Sequence, residues 1–524
     1  MIPFEAPVED ILFTLEHVAR AGRLPEWDAD LAREIVQQFA RFAEGALAPA
    51  DEAADREGCR FDAGRVSMPV GLVDAYTAYT DQGWHALALP EAAGGQAAPG
   101  PVAGAVSEIF AGASHALQMV TGLVPGAART IGQFGTPAQQ ALWLPRLASG
   151  EWLATMALTE PGAGSDLSGL RSRAESGPDG WRISGEKIFI SGGDQDLTPR
   201  ILHLVLARTG DPANGVRSLG LFLVPSHDEA GLRQPVHVTR IEEKMGLHGS
   251  PTCQMLFDAA PAEILGAEGE GLAAMFTMMN HARLDVALQG VAHAARASHI
   301  ATTYAANRRQ GRGNAALDSH ADVRRMLDDA ATLALGTRGL AQLALVELEL
   351  GTRPDLVDFL TPLCKFTGTE AGVAAANLGI QVLGGYGYLR EYRVEQVLRD
   401  ARICTIYEGA NGIHAVTVAG RLLRHGEGRA AEAFAEFLAE LPATCKIWQD
   451  ARQAMLTAKD PLSAAHAFML LSAEAALAVI WGRIGQSAPH AQDPDRIANL
   501  AAREAAAHPL RMHHHAALVS LALR

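Results

Sequence analysis

Trp181-Arg-Ile-Ser-Gly-Glu-Lys-Ile-Phe-Ile-Ser191, preceded by Gly177-Pro178-Asp179-Gly180, decides the fold. The run is rich in β-branched and aromatic residues, and its spacing is that of a strand, not of a helix. In the turn before it, proline presets φ and glycine supplies positive φ, so a hairpin back to RSRAE (171–175) is expected. ILHLVLAR (201–208), SLGLFLVP (218–225), VHVTRIE (236–242) and TCQMLFD (252–258) have the same character. About half a dozen strands within roughly a hundred residues predict a compact β-barrel or sandwich.

Outward from this β region the period changes. Ile11, Leu12, Leu15 and Val18, then Ile35, Phe39 and Phe42, recur at helical spacing, and the pattern from Ile11 to about Leu147 reads as helix broken by loops such as PEAAGG and APGP. After Gly271 the helical period returns. Met275, Met278 and Met279 share a face that reads as core, and the alanine-rich stretches 287–306 and 330–350 predict long helices in a tight bundle. From about Gly426 the chain is alanine-rich helix again.

The 524 residues carry 44 Lys and Arg against 59 Asp and Glu, a net charge of −15. That balance argues against wrapping nucleic acid, which is bound by neutralising phosphates. Five scattered cysteines, an odd number with no C-x-x-C, point to a reducing compartment without a disulfide frame. The segment MIPFEAPVEDILF is acidic where an export signal carries lysine or arginine, so a cytoplasmic location is expected. Ala464 to Trp481 is apolar but interrupted by His466 and Glu474, and it reads as a packed helix, not a membrane span.

Four segments carry candidate chemistry. Met156-Ala-Leu-Thr-Glu-Pro-Gly-Ala-Gly-Ser-Asp166 runs from a strand ending at Leu158 into a glycine-rich turn, where backbone N–H groups and the hydroxyls of Thr159 and Ser165 can meet an anion. Alone, such a turn is weak evidence and reads also as an ordinary turn. In Lys187-Ile-Phe-Ile-Ser-Gly-Gly193, period two puts Phe189 and Ser191 on one face, either to stack on and hydrogen-bond a flat ring or as plain barrel residues. Gln381-Val-Leu-Gly-Gly-Tyr-Gly-Tyr388, followed by Arg399-Asp-Ala-Arg402, exposes backbone amides at a helix break or is a simple C-cap. In Ile406-Tyr-Glu-Gly-Ala-Asn-Gly-Ile413, Glu408 sits in an apolar setting that raises a carboxyl pKa and suits a proton acceptor; a helix-dipole glutamate is the other reading. His513, His514 and His515 fan out on a helix and cannot converge on one metal. His248 and Cys404 read as structural residues.

From about Leu87 to Leu423, these segments, in this order and spacing, resemble the acyl-CoA dehydrogenase family. EGCRFDAG, FISGGDQDLT with HLVLAR, and MGLHGSPTC with MFTMMNHAR are similar to its longer bacterial branch, which includes 3-methylmercaptopropionyl-CoA dehydrogenase-like enzymes. The resemblance implies a multi-domain α+β fold: an N-terminal helical domain (1–152), a middle β-barrel domain (153–268), a C-terminal four-helix bundle (269–425) and a helical extension (426–524). It implies FAD between the middle domain and the bundle, completed by a second subunit of a homodimer or homotetramer. The chemistry implied is α,β-dehydrogenation of an acyl-CoA thioester, with an electron-transfer flavoprotein as acceptor.

Residue by residue, the resemblance gives Glu408 the role of base. Leu158, Thr159, Ser165, Phe189 and Ser191 match flavin-contacting positions, and Arg308, Gln310, Gln381, Gly384 and Gly385 match the reach toward a partner's FAD. Ala410 and Gly412 match cofactor-binding positions, Ala410 standing where a threonine or serine hydroxyl is usual. Ser165, Asn280, Arg283, Tyr407 and Gly409 match substrate-binding positions. An acyl-CoA oxidase is an alternative on the same fold. A DNA-associated flavoprotein of the alkylation-response type is another, although residues 426–524 show no lysine-rich cluster.

Overall fold

In this computed structural model the structure describes residues 2–524, apart from the side chains of Asn280 and Arg312. Helices predominate around one seven-stranded mixed sheet. Two compact units emerge: one is Gly45–Ala98 with Ala113–Ala282, the other Met1–Glu44, Pro99–Gly112 and Arg283–Arg524.

The first unit opens its β structure with a hairpin of β1 (Arg60–Asp62) and β2 (Arg65–Ser67). Sequence periodicity reads this stretch as helical, and the structure corrects that. Ala63 and Gly64 both adopt positive φ, 48° and 78°, which is the two-residue turn matching the right-handed twist of paired strands. The buried Asp194 carboxylate ties the hairpin down, accepting from Arg65 Nε at 2.9 Å, Arg233 Nη2 at 2.9 Å and the Val66 N–H at 3.0 Å.

The sheet comprises β3 (Trp152–Ala157), β4 (Arg173–Gly177), β5 (Gly180–Ser191), β6 (Arg200–Arg208), β7 (Leu219–Pro225), β8 (Val236–Ile241) and β9 (Thr252–Leu265). β3 and β4 run parallel to β6; β6–β7, β7–β9, β9–β5, β5–β4 and β8–β9 are antiparallel. Ile183, Ile190, Val205, Phe222, Met255 and Phe257 form its apolar side.

Two bulges depart from simple alternation. β9 continues past Asp258 to Leu265, with Ala259 at φ 52° and its N–H on Ser184 Oγ at 3.2 Å. In β5, Lys187 pairs with Met255 but Ile190 pairs with Cys253, so one extra residue is accommodated and Phe189 takes φ 60°.

The second unit is helical. Its long elements are α1 (Gly271–Asn307, from Arg283 on), α2 (Ala321–Leu350), α3 (Pro354–Leu383), α4 (Val394–Cys404), α5 (Asn411–Thr417), α6 (Ala465–Ser487) and α7 (Pro494–Ala522). Leu284, Leu288, Leu340, Phe359 and Leu363 share one core with Phe434, Trp448 and Phe468 from beyond residue 426. Phe359 stacks on Phe434 at 4.4 Å, so the last hundred residues complete a core instead of hanging from it. The stretch Pro461–His490 is long and apolar enough to cross a membrane by composition, with 67% of its most apolar window buried. α6 buries Phe468, Met469, Trp481 and Ile484.

α1 and α3 cross with backbone against backbone. A Cβ on Gly290 would lie 2.2 Å from Gly368 O, one on Gly368 2.4 Å from Ala287 O, and one on Gly372 2.7 Å from Gly290 O. No side chain fits at these three positions.

Candidate functional site

Glu408 lies in the turn between α4 and α5, where the chain reverses through two left-handed residues, Glu408 (φ 53°) and Gly409 (φ 94°). A non-glycine residue held there costs about 1–3 kcal/mol, so its surroundings must hold it. Lys365 Nζ, from α3, donates to Gly409 O at 2.8 Å and to Asn411 Oδ1 at 2.9 Å. His414 Nε2, from α5, donates to Glu408 O at 3.2 Å. The Asn411 N–H donates to Thr405 O at 3.1 Å, closing the loop. A Cβ at Gly409 would stand 2.9 Å from His414 Nε2, so glycine is needed for space as well as conformation.

The Glu408 carboxylate points into a buried, charged setting. Its Oε2 has no hydrogen-bond partner among the described residues. Burial pushes the carboxyl up to about 7, against the pull of the Arg283 and Lys365 cations. Burial brings Lys365 down to about 8, partly opposed by Cys404, Glu408 and Glu370. His414 is pulled to about 3 by burial and by the same two cations, so it is neutral and its Nε2–H is free to donate. Cys404 is buried and pushed up to about 12, as a structural thiol is expected to be.

The other residues expected here fall around that turn. Tyr407 donates its hydroxyl to Gln289 Oε1, and burial raises its pKa well above the ordinary value. Arg283 lies within electrostatic reach of Glu408. Ala410 is the N-cap of α5 and makes no side-chain cap bond. Gly412 follows, exposed, with nothing within 4 Å of a Cβ built on it. The Asn280 side chain lies outside the described residues.

In the β unit, Leu158 and Thr159 follow β3. Lys187, fully buried on β5, donates to Leu158 O at 2.9 Å, Leu206 O at 2.7 Å and Glu160 Oε1 at 2.8 Å. The Ile188 N–H donates to Thr159 O at 2.9 Å. Burial raises the Glu160 carboxyl, but Lys187 and the N–H groups of Arg171 and Ser172 outweigh it and leave it below its ordinary value. The 159–166 turn is thus stapled at its base while Ser165 at its tip is exposed. Phe189 is 60% exposed on the β5 bulge and Ser191 is half-buried. The bulge between Lys187 and Ile190, with Phe189 left-handed, breaks the period-two alternation that spacing alone implies.

Arg308 lies over the Tyr386 ring at 6.0 Å, and Gln310 is exposed in a two-residue strand paired with Ala315 and Ala316. Gln381 is exposed near the end of α3. Gly384 follows α3 at φ 60°, ψ −134°, a conformation open only to glycine, and Cβ atoms on Gly384 or Gly385 would touch nothing. Sequence reading missed two residues, Lys187 and Lys365. Both sit on apolar phases, KIFI and LCKF, and a lysine on a core phase is the signal that could have found them.

Taken unit by unit, the chemistry is compatible with FAD: in the β unit Gly162 leaves open backbone and Phe189 is exposed on a bulge, and in the helical unit Gly384, Gly385 and Gly412 leave open backbone that this chain's own packing does not use. Buried Glu408 Oε2 supplies an acceptor still to be matched.

The chain matches three family models: acyl-CoA dehydrogenase N-terminal domain over 30–151, middle domain over 155–260 and C-terminal domain over 269–423. It is 40% identical to the 3-methylmercaptopropionyl-CoA dehydrogenase of Ruegeria pomeroyi, across 83% of this chain and 79% of that one. It is 33% identical to a broad-specificity linear acyl-CoA dehydrogenase of Mycobacterium tuberculosis, across 79% of this chain and 74% of that one. In fold it resembles the acyl-CoA dehydrogenase of Bacillus anthracis solved with FAD, at a TM-score of 0.79 and 21% identity, covering 96% of this chain and 90% of the other. The chain belongs to the acyl-CoA dehydrogenase family, whose members are FAD-dependent oxidoreductases of acyl-CoA thioesters.

Proposed function

We propose that Glu408 is the base that removes the α-proton of an acyl-CoA thioester, giving the 2-enoyl-CoA. The observation that carries this reading is a carboxylate whose buried Oε2 has no partner among the described residues, raised to about 7 by burial against two cations, in a strained, well-braced turn. A base with a pKa close to working pH combines a useful ionised fraction with real proton affinity. When bound, FAD accepts the β-hydrogen as hydride at N5. Around Glu408, Arg283 and Tyr407 orient the thioester's CoA end and exclude water, and the Glu408 backbone N–H, with a flavin ribityl hydroxyl, would stabilise the developing enolate oxygen.

Leu158, Thr159, Ser165, Phe189 and Ser191 hold the flavin ring and phosphates, with Ala410 and Gly412 beside it. Arg308, Gln310, Gln381, Gly384 and Gly385 reach the FAD of a second subunit. Their exposure, together with that of neighbouring Tyr388 at 85%, supports a homodimer or a tetramer of dimers, which light scattering of the FAD-loaded protein tests. The closed series of pairings through β6, β4, β5, β9 and β7 supports a middle β-barrel, and α1 to α4 a four-helix bundle. In this reading the domains are 1–152, 153–268, 269–425 and a 426–524 extension, and the enzyme works in the cytoplasm with an electron-transfer flavoprotein as acceptor.

The test is Glu408→Gln, which keeps shape but not basicity. Flavin reduction by acyl-CoA, followed by stopped-flow absorbance, is expected to slow by about 10²–10⁴-fold with FAD retained. Near wild-type reduction refutes the assignment.

A further inference from the structure

Lys365 lies entirely within the helical unit, with none of its surface exposed, yet both atoms it donates to are neutral: the Gly409 carbonyl and the Asn411 amide oxygen. A buried ammonium is expensive, and it is usually found against a carboxylate. Here its two bonds grip the residues immediately after Glu408 in the turn. The Asn411 amide is itself clamped, because its Nδ2 donates to Glu370 Oε1 at 2.7 Å and to Thr369 Oγ1 at 3.1 Å. That leaves Oδ1 facing Lys365, so Glu370, Asn411, Lys365 and the Gly409 carbonyl form one continuous relay.

Resting on the assignment of Glu408 as base, we infer that Lys365 is a positioning residue for proton abstraction: it braces the 408–411 turn by hydrogen bonds, and its charge favours the ionised form of the Glu408 carboxylate. Other charged and titratable groups face Glu408 as well. Arg283 on α1 is a second cation acting on Glu408, and Asp285 on the same helix is of opposite sign. On α3 the other charged groups are Asp355 and Asp358 in its first turns and Glu370, which is engaged with Asn411. Cys404 on α4 and Tyr407 are protonated at neutral pH, and His414 on α5 is neutral. Arg421, beyond α5, acts on Arg283. Lys365 both hydrogen-bonds the turn and carries charge.

The test separates abstraction from oxidation. A 3-thiaacyl-CoA, of the chain length that reduces the flavin fastest, has sulfur in place of the β-carbon and has no β-hydrogen to lose. The FAD-loaded enzyme can still exchange its α-hydrogens with D2O, which mass spectrometry reads as a function of pH. Lys365→Gln keeps a neutral donor, and is expected to raise the exchange midpoint by about one pH unit. At pH 7 that is about a fivefold loss, with the high-pH plateau kept within about twofold. Lys365→Met loses the donor too, and its plateau falls severalfold as well. Lys365→Arg, though bulkier, keeps the charge and is expected to retain the wild-type midpoint.

A midpoint unmoved in Lys365→Gln overturns the inference, as does one that moves equally in Lys365→Arg. Should Lys365→Met not fold, the glutamine and arginine variants carry the comparison. Glu408→Gln distinguishes the two levels: exchange that survives in it refutes the base itself, whereas its loss together with an unmoved Lys365→Gln midpoint refutes only the role of Lys365.

Discussion

The raised carboxyl of Glu408 carries a cost in stability, and Glu408→Gln should remove it. A carboxyl lifted from 4.5 to about 7 prefers its protonated form in the folded state. Below 4.5 both folded and unfolded chains hold the proton, and no penalty exists. Between 4.5 and 7 the unfolded chain releases a proton that the folded one keeps, so stability falls as pH rises. Above 7 both are ionised and the penalty is constant, about 3 kcal/mol. The glutamine variant carries no such term. Its advantage over wild type is expected to be about 1 kcal/mol at pH 5.5 and about 3 kcal/mol at pH 8.5. Urea unfolding of the FAD-loaded, substrate-free proteins, followed by fluorescence at several pH values, measures the difference. An advantage that is flat or shrinks toward high pH means that Glu408 is not held above its ordinary range, and the electrostatic argument for its basicity goes with it.

Two further perturbations probe the β unit. Lys187→Met leaves the Glu160 carboxylate buried without its cation and is expected to cost about 3–5 kcal/mol in denaturant unfolding, with FAD lost more readily because Leu158 is no longer tethered; a change below about 1 kcal/mol contradicts the role given to that pair. Phe189→Ala removes a ring that is 60% exposed, so stability should move by less than about 0.5 kcal/mol while FAD affinity, read by ultrafiltration, drops severalfold; unchanged affinity excludes Phe189 from the flavin platform.

Much of this was legible because period and punctuation agreed. Gly177-Pro178-Asp179-Gly180 joins β4 to β5 where the turn chemistry said it must, and the strands ILHLVLAR and SLGLFLVP stand nearly where their apolar runs put them. Glu408 was legible from its apolar neighbours alone. The β1–β2 hairpin was not, since Asp62-Ala63-Gly64 lies among helical periods and its strands are three residues each. The far half of β9 was hidden by Ala259-Ala260-Pro261, which reads as a stop but is accommodated by a bulge. The buried lysines were hidden for another reason: their partners are carbonyls, an amide and a carboxylate remote in sequence, and single-chain patterns carry no trace of such long-range pairing.

The α1–α3 crossing bears on how such an enzyme can diverge. Gly290, Gly368 and Gly372 set the separation of the two helices at their crossing by main-chain contact, so the spacing there of the helices carrying Arg283 and Lys365 does not depend on a side chain wedged between them. Residues lining an acyl chain can then be enlarged, shortened or made polar without shifting that crossing. Selectivity for the tail and the acid–base apparatus become separately adjustable, and a lineage can explore new thioesters while its proton chemistry stays fixed.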